Sequence, residues 1–543
     1  MNTVAQEFAH TLKEIGVKFV FGVPSGNMID FMEAIRKEEE ISFVLTGHES
    51  AAAFMAAVCG RLTGVCGACF GTFGPGATNL ATGVGSALLD RMPLLAFTDE
   101  MPEHLRHRTV QMNIDHQVLY QPLTKWTTRI EKNNAAEILL KASEIAAEEL
   151  PGPVHIGVPA GIGSESVGHP SESFSYLRLE KEKSLEVPSE LMEFAKRRFK
   201  NARKPLLSVG LTTVRAGLQP TILNLAEKFG LPVVLTPMAK GMFPENHPLY
   251  AGVLFHALSN HVAQTYSEAD LIVGIGYDSV ELNYEEWMPR VPLLHFCNRP
   301  ADLDRDVISD VTDVLGDLKF SVNELLKVDC PPKNWNRKTI EARKQEMFRL
   351  LEPPKGSFGP RAVVTGLREA LPENGILTLD VGAHLHLAGQ MWKTPSPEKL
   401  LMTNGWSSMG FGIPAAIAAK ICHPDLPVAC LTGDGGFRMM AGEMATARQL
   451  GLNVVFVVVV DESLSLIRIK QEKKNYQSNY GTSLSVQSEG ASTHYFGVPV
   501  YQAKDYKSYQ KILAEGFSAS GPVIIEALTD GKEYDELVLL KNK

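Results

Sequence analysis

Short apolar runs ending in small or turn-forming residues recur along this chain, and each is followed by a helix-like stretch. Few folds accommodate that alternation. It is the pattern of parallel sheets covered by helices on both faces, where strands read as near-continuous apolar segments. In the first third the runs are KFVFGVP (18–24), SFVLTGHE (42–49), VCGACFGTFGPG (65–76), PLLAFTDE (93–100) and PVHIGVP (153–159). A polar stretch from Gly161 to Pro188 precedes KPLLSVG (204–210), PVVLTP (232–237), ADLIVGIG (269–276) and PLLHFCN (292–298). A charged, proline-containing connection from Cys330 to Pro360 then leads to GILTLDVG (375–382), LPVACLTGDG (426–435), LNVVFVVVVD (452–461) and PVIIEAL (522–528). The expected fold class is α/β: three doubly wound α/β/α units with mainly parallel sheets, at residues 1–185, 186–350 and 351–543. The length of 543 residues agrees, because one core stops growing at about 250–300 residues.

A net charge of −9 is modest for this length, and no basic run follows a phosphate backbone, so nucleic acid is not an expected partner. The N-terminal MNTVAQEFAHTLKEIG reads as an amphipathic helix without a signal core, and no run approaches the roughly 18 apolar residues of a membrane span. No membrane association is expected, and the cytoplasm is the expected compartment. The seven cysteines lack zinc spacing, and Cys66 and Cys69 form a lone CxxC inside a strand-like run, read as core residues.

The strongest chemical signal is Gly433-Asp434-Gly435-Gly436, which follows a buried strand and precedes FRMMAGEMATARQL. Such a turn directs backbone N–H groups outward, toward phosphate oxygens, with a carboxylate beside them. By itself Gly-Asp-Gly is a common turn. A second apolar strand, however, ends at Asp461, 27 residues after Asp434. Parallel strands joined by one helix put their C-terminal ends side by side, so the two carboxylates can meet on one hard divalent cation.

With these motifs the chain resembles the thiamine diphosphate (ThDP) dependent family that includes acetolactate synthases, pyruvate oxidases and 2-oxo acid decarboxylases. The resemblance implies ThDP and Mg2+ as cofactors. It makes Gly433, Gly435, Gly436 and Leu464 cofactor contacts, and Asp434, Asp461 and the Ser463 carbonyl the metal ligands. Asp461 stands where the family usually has an asparagine. LTGHESAAAFMAA looks like the segment of the activating glutamate, here Glu49, which drives the aminopyrimidine into the imino form that takes a proton from the thiazolium carbon. GPGATN (74–79) matches a glycine-rich turn, with Gly74, Thr78 and Asn79 at the cofactor. DVGAHLHLAGQMW (380–392) places Ala383 and His384 at the diphosphate. NGWSSMGFGIPAA (404–416) supplies the Ser407 carbonyl for the pyrimidine amino group and Met409 as the wedge between the rings. The bland alternatives stay open: a helix first-turn acid for Glu49, a structural histidine for His384, core packing for Met409.

Further details look most like the flavin-free, catabolic acetolactate synthases: VFGVPSG with Ser25 and Gly26 at the substrate, Gln111 as a second catalytic residue, QPLTKW (121–126), and GYDSVE (276–281) followed by Trp287. FAD is therefore not expected, and the second unit is read as a vestigial nucleotide-binding fold. Leu466, Ile467 and Lys470 share a helix face by spacing, and the resemblance points that face at the substrate. A solvated lysine beside Lys473 and Lys474 is the alternative. The implied reaction cleaves carbon dioxide from a small-molecule 2-oxo acid and joins the remainder to a second carbonyl compound; pyruvate used twice gives 2-acetolactate. A non-ligating decarboxylase or 2-hydroxyacyl lyase, and a noncatalytic scaffold, are the other readings. His104, His107 and His116 include no adjacent pair, which favours ligation. The family also implies a homodimer or homotetramer with active sites between subunits. No G-x-G-x-x-G opens a helix after an early strand, which argues against an NAD-binding dehydrogenase.

Overall fold

The alternation of apolar runs appears as three sheets. The computed structural model describes residues 2–167, 186–281, 290–476, 479–485 and 492–539. The first sheet contains β1 (Phe19–Gly22), β2 (Ser42–Leu45), β3 (Gly67–Gly71), β4 (Leu94–Glu100), β5 (Trp126–Arg129) and β6 (Pro153–Pro159), in the order β2-β1-β3-β4-β6-β5. The second contains β7 (Pro205–Val209), β8 (Val233–Leu235), β9 (Tyr250–Val253), β10 (Leu271–Ile275), β11 (Leu293–Cys297) and β12 (Val311–Leu315), in the order β12-β11-β10-β7-β8-β9. The third contains β13 (Ile376–Leu379), β14 (Leu400–Met402), β15 (Val428–Gly433), β16 (Val454–Val460), β17 (His494–Tyr495), β18 (Val498–Ala503) and β19 (Val523–Leu528), in the order β14-β13-β15-β16-β19-β18-β17. Every described neighbouring pair is parallel except β17 with β18.

The three sheets thus confirm the α/β class. The first and third share one strand order once the short β17 is set aside. In each, the order reverses beside the opening strand, at β1/β3 and β13/β15, and such a reversal leaves a crevice outside the carboxyl ends of the strands. Counted from β7, the second sheet has the doubly wound order of dinucleotide-binding folds.

The first and third units meet through small residues. The helix Glu49–Thr63 is buried from Glu49 to Gly60, and its Ala51, Ala52, Ala53, Ala56 and Ala57 let neighbours approach closely. It packs on the helices Pro75–Leu89 and Gly412–Cys422, with Phe54 edge-on to Phe411 at 5.7 Å between ring centroids. Ion pairs fasten the second unit to the first: Arg91 to Asp278 at 2.6 Å and Arg215 to Glu149.

The structure adds strands that the apolar runs do not announce: β5, β9, β12, β14, β17 and β18. All but β18 lie at sheet edges. The connection read from Cys330 to Pro360 holds a helix, Arg337–Leu351, capped by the Asn336 side chain. The boundary at residue 185 and Trp287 lie outside the described residues. No helix among the described residues is long and apolar enough to cross a membrane.

A Cβ at Gly67 would overlap the Ala56 carbonyl where β3 meets the helix Glu49–Thr63, whereas at Gly442 it meets nothing within 4 Å. Gly67→Ala should therefore lower stability by about 1–3 kcal/mol. Gly442→Ala, in helical backbone, should leave it unchanged or raise it by about 0.5 kcal/mol. Urea unfolding of the two variants beside the parent checks the contrast.

Candidate active site

Residues Gly433 and Val459 face each other in the β15–β16 ladder, so the next residues of both strands project beyond the same sheet end. Asp434 is buried there and accepts the N–H groups of Gly435 and Glu462, each at 2.8 Å. Asp461 accepts the Ser463 N–H at 3.1 Å and the Ser465 hydroxyl at 2.6 Å. Burial pushes the Asp434 carboxyl up to about 6, with the Asp461 charge adding to it, and burial raises Asp461 as well. Glu462, next after Asp461, has φ +53°, a left-handed conformation in a non-glycine residue. The adjoining bridge to residues 482–484 uses the carbonyls of Thr482 and Glu462, not that of Ser463. Carboxylate oxygens are donors of the kind that suit a hard cation such as Mg2+. A cavity of about 310 Å³ opens beside them, lined by Asp461, Ser463, Ser465, Arg468 and Gly531.

Glycines make room around that end. A Cβ at Gly435 would meet Leu464 at 2.8 Å and Met409 Cε at 3.0 Å, and one at Gly433 would meet the His384 ring at 3.2 Å. Ala383 and His384 open the helix Ala383–Met391 after β13, and His384 Nε2 is buried with no partner among the described residues. Burial pushes this imidazole down to about 4. Ser407 has φ +54°, costly for a non-glycine residue, and Gly410 at φ +90° lets the turn carrying Met409 close. Asp380 holds it: its carboxylate accepts from Gly410 N–H at 2.8 Å, Val381 N–H at 2.7 Å and the Thr432 hydroxyl at 2.7 Å. Asp90 of the first unit accepts the Asn404 and Gly405 N–H groups at 3.1 and 2.9 Å and also binds the Thr403 hydroxyl.

At the carboxyl end of the first sheet, Glu49 opens its helix and accepts from the Asn79 amide at 3.0 Å. Gly76 lies against it, with room for a Cβ only 3.3 Å from Oε1. Gly74, at φ +41°, lies close to the Met112 carbonyl and donates its N–H to His116 Nε2 at 3.3 Å. Ser25 donates to the buried Asp99 at 2.6 Å, and Thr72 donates to the same oxygen at 3.1 Å. Gly26, Thr78 and Gln111 are exposed.

The sequence-predicted residues therefore gather in two groups. Asp434, Asp461, Ser463, Leu464, Met409, Ser407, His384, Ala383 and the three glycines stand at the third sheet; Glu49, Asn79, Gly74, Ser25 and their neighbours stand at the first. No hydrogen bond or ion pair among the described residues joins Glu49 to the Asp434 group. On the helix Ser465–Lys473, the buried face is Ser465, Arg468 and Ile469, which leaves Leu466 half-buried and Ile467 and Lys470 exposed.

Comparison with known proteins decides the family. Models described as the N-terminal TPP binding domain, the central domain and the C-terminal TPP binding domain of thiamine pyrophosphate enzymes match residues 2–119, 192–325 and 380–527. A probable acetolactate synthase large subunit of Methanocaldococcus jannaschii is 32% identical, over 85% of this chain and 81% of its own. The chain belongs to the thiamine pyrophosphate enzymes. Within them it is most like acetolactate synthase. The acetolactate synthase large subunit of Parasynechococcus marenigrum is 30% identical over 95% of this chain and 85% of its own. Isozyme 1 of Escherichia coli is 28% identical over 98% and 94%.

For a thiamine pyrophosphate enzyme, the sequence reading left out several residues that shape the site. Tyr534 is buried near both aspartates, its phenol raised by burial and by the charge of Asp461. A Cβ at Gly531 would meet Asp461 at 2.5 Å, and Arg468 ties that segment down through Asp535 at 2.7 Å. Asp380, Asp90 and Asp99 carry no motif of their own; a carboxylate ending an apolar run was their only signal. Glu100, His116 and His155 also cluster with metal-like spacing. Thr98 bridges the two imidazoles at 2.9 and 2.8 Å and Gln117 holds Glu100 at 2.5 Å, so the trio is satisfied by protein groups.

Burial raises Asp380 from near 3.8 to about 6. Between those values the folded protein holds a proton that the unfolded chain has lost, so stability falls as pH rises through this window. Relative to Asp380→Asn, the parent should lose stability from about pH 4 to about pH 6 and level off above. Thermal melts of both across that range measure it; a constant difference refutes the assignment.

Proposed function

We propose that this enzyme decarboxylates a small 2-oxo acid, pyruvate first among them, and joins the remaining acyl unit to a second carbonyl compound. The observation that carries the reading is the pair Asp434 and Asp461: one buried and one half-buried carboxylate beside a glycine-rich turn, with no cationic side chain among the described residues in an ion pair with either. Mg2+ held by Asp434, Asp461 and the Ser463 carbonyl would neutralise that charge and anchor a diphosphate. Bound thiamine diphosphate supplies a carbon nucleophile and electron sink for the departure of carbon dioxide. The protein does the rest. Glu49, positioned by Asn79, would exchange a proton with the cofactor's pyrimidine nitrogen; Met409 and the Ser407 carbonyl would contact the cofactor; Gln111, Ser25 and Gly26 would border the substrate.

In the second unit, a backbone donor at the crevice between β7 and β10 is already taken. Glu281, fully buried, accepts the Leu211 N–H at 3.0 Å and the Thr236 hydroxyl at 2.6 Å. A nucleotide phosphate would need such donors, which supports a protein without FAD. With ThDP and Mg2+, pyruvate should yield carbon dioxide and 2-acetolactate from protein that shows no flavin absorbance, and Glu49→Gln should keep ThDP yet lose about 100-fold or more in rate. Mass analysis over a panel of 2-oxo acids decides: aldehyde as the sole product sinks ligation, and no turnover of any acid sinks the reading.

That no hydrogen bond or ion pair among the described residues joins Glu49 to the Asp434 group supports a site shared between two subunits of a homodimer or tetramer. Mixing inactive Glu49→Gln and Asp434→Ala subunits should then restore part of the activity. No recovery after demonstrated subunit exchange would count against sharing.

A further inference from the structure

A file of polar side chains leads away from the Gly74 turn into the first unit. Gly74 donates its N–H to His116 Nε2 at 3.3 Å, His116 Nδ1 meets the Thr98 hydroxyl at 2.9 Å, and the same hydroxyl meets His155 Nε2 at 2.8 Å. His155 Nδ1 lies 2.7 Å from the Thr127 hydroxyl, which donates to Gln117 Oε1 at 2.8 Å. The Gln117 amide donates in turn to Glu100 and to the Thr128 carbonyl, and Arg129 closes the far end, 3.3 Å from Glu100. His116, Thr98 and His155 are all buried. Tyr120 stacks on His155 at 4.2 Å between centroids and donates its hydroxyl to the Ala77 carbonyl at 2.6 Å. The start of the helix Pro75–Leu89 is thus held at a second point.

One end of the file fixes the protons along it. A backbone N–H can only donate, so His116 Nε2 accepts and the ring proton sits on Nδ1. Thr98 accepts from that Nδ1–H and gives its single hydroxyl hydrogen to His155 Nε2, which puts the second ring's proton on Nδ1, facing Thr127. Burial keeps both rings neutral, pushing His116 down to about 4 and His155 below its ordinary value. A proton relay is excluded, because passing a proton along would reverse every bond and the Gly74 amide cannot accept one. What a one-way file can do is hold position, since each bond polarises the next and any break leaves a buried group unpaired. The position held matters to Glu49. A Cβ at Gly76 would lie 3.3 Å from its Oε1, and Asn79 on the same helix donates to Oε2 at 3.0 Å, so the carboxylate lies against the segment that begins at Gly74.

We propose that His116, as its Nδ1–H tautomer, is a positioning residue for Glu49: it holds the Gly74 turn, and through that turn Asn79, where the Glu49 carboxyl can exchange a proton with the cofactor. This rests on the proton-exchanging reading of Glu49. His116→Leu should lower kcat about 10- to 100-fold while KM for the 2-oxo acid changes by less than about twofold, and hydrogen–deuterium exchange at the thiazolium carbon of bound ThDP should slow by a similar factor. His116→Gln, whose terminal oxygen can replace Nε2 as acceptor, should recover most of the loss. His116→Asn, which reaches only as far as Nδ1, should not. In the full chain before cofactor is added, amide exchange at Gly74, read by mass, should be about 10-fold or more faster in His116→Leu and His116→Asn than in the parent and His116→Gln. Equal activity of the Gln and Asn variants, or unchanged exchange at the thiazolium carbon or at Gly74, overturns the proposal. If His116→Leu does not fold, Thr98→Val, which keeps the shape and removes the hydroxyl from the file, decides by the same readouts. If Glu49→Gln exchanges the thiazolium proton as fast as the parent, the functional reading falls, while faster amide exchange at Gly74 in the His116 variants would still uphold the tether.

Discussion

Holding Asp434 and Asp461 together at the end of two paired strands costs free energy, because burial and like charge both oppose ionisation. Much of the surrounding architecture serves to keep them there. The β15–β16 register brings both to the same sheet end, Glu462 takes a left-handed conformation just after Asp461 and donates its N–H to Asp434, and Gly531 gives up a side chain so that its segment can close over Asp461. Donated hydrogen bonds from Gly435, Glu462, Ser463 and Ser465 offset part of that cost.

Other buried carboxylates solve a different problem. Asp380, Asp90 and Glu443 each accept backbone N–H groups from loops: Asp380 from Gly410, Asp90 from Asn404 and Gly405, and Glu443 from Gly47 and His48. These bonds are charge-assisted and directional, so they fix loops that regular ladders cannot reach. Two of them cross between the first and third units. The turn bearing Ser407 and Met409 is therefore shaped partly by a first-unit aspartate, and the entry to the Glu49 helix partly by a third-unit glutamate. Packing of small residues makes those bonds possible, since the alanine-rich helix Glu49–Thr63 lets the units approach closely.

The second unit retains a nucleotide-binding strand order while Glu281 takes the N–H at its switch point. Its loop at Phe255–Leu258 instead reaches the third unit, bonded to His386 and Leu537.

Much of the fold was legible in order along the chain. Continuous apolar runs such as VVFVVVV mark strands buried on both faces, and β16 shows that burial. Edge strands escaped for the opposite reason: with one neighbour and one wetter face, β5 and β12 have mostly half-buried residues and no apolar run. The glycine-aspartate turn, Asp461 and Glu49 were readable because their chemistry requires particular residue types at strand ends. The Asn79 amide on Glu49, the Asp380 and Asp90 tethers and the bond from Gly74 to His116 were not. Each joins residues from 30 to more than 300 positions apart, and no local spacing encodes such a meeting. The sequence by itself determined the elements, the family and the chemical groups, because periodicity and motif are local properties. Only the tertiary structure decided which groups face one another and which stay unpaired, because that depends on how three sheets pack.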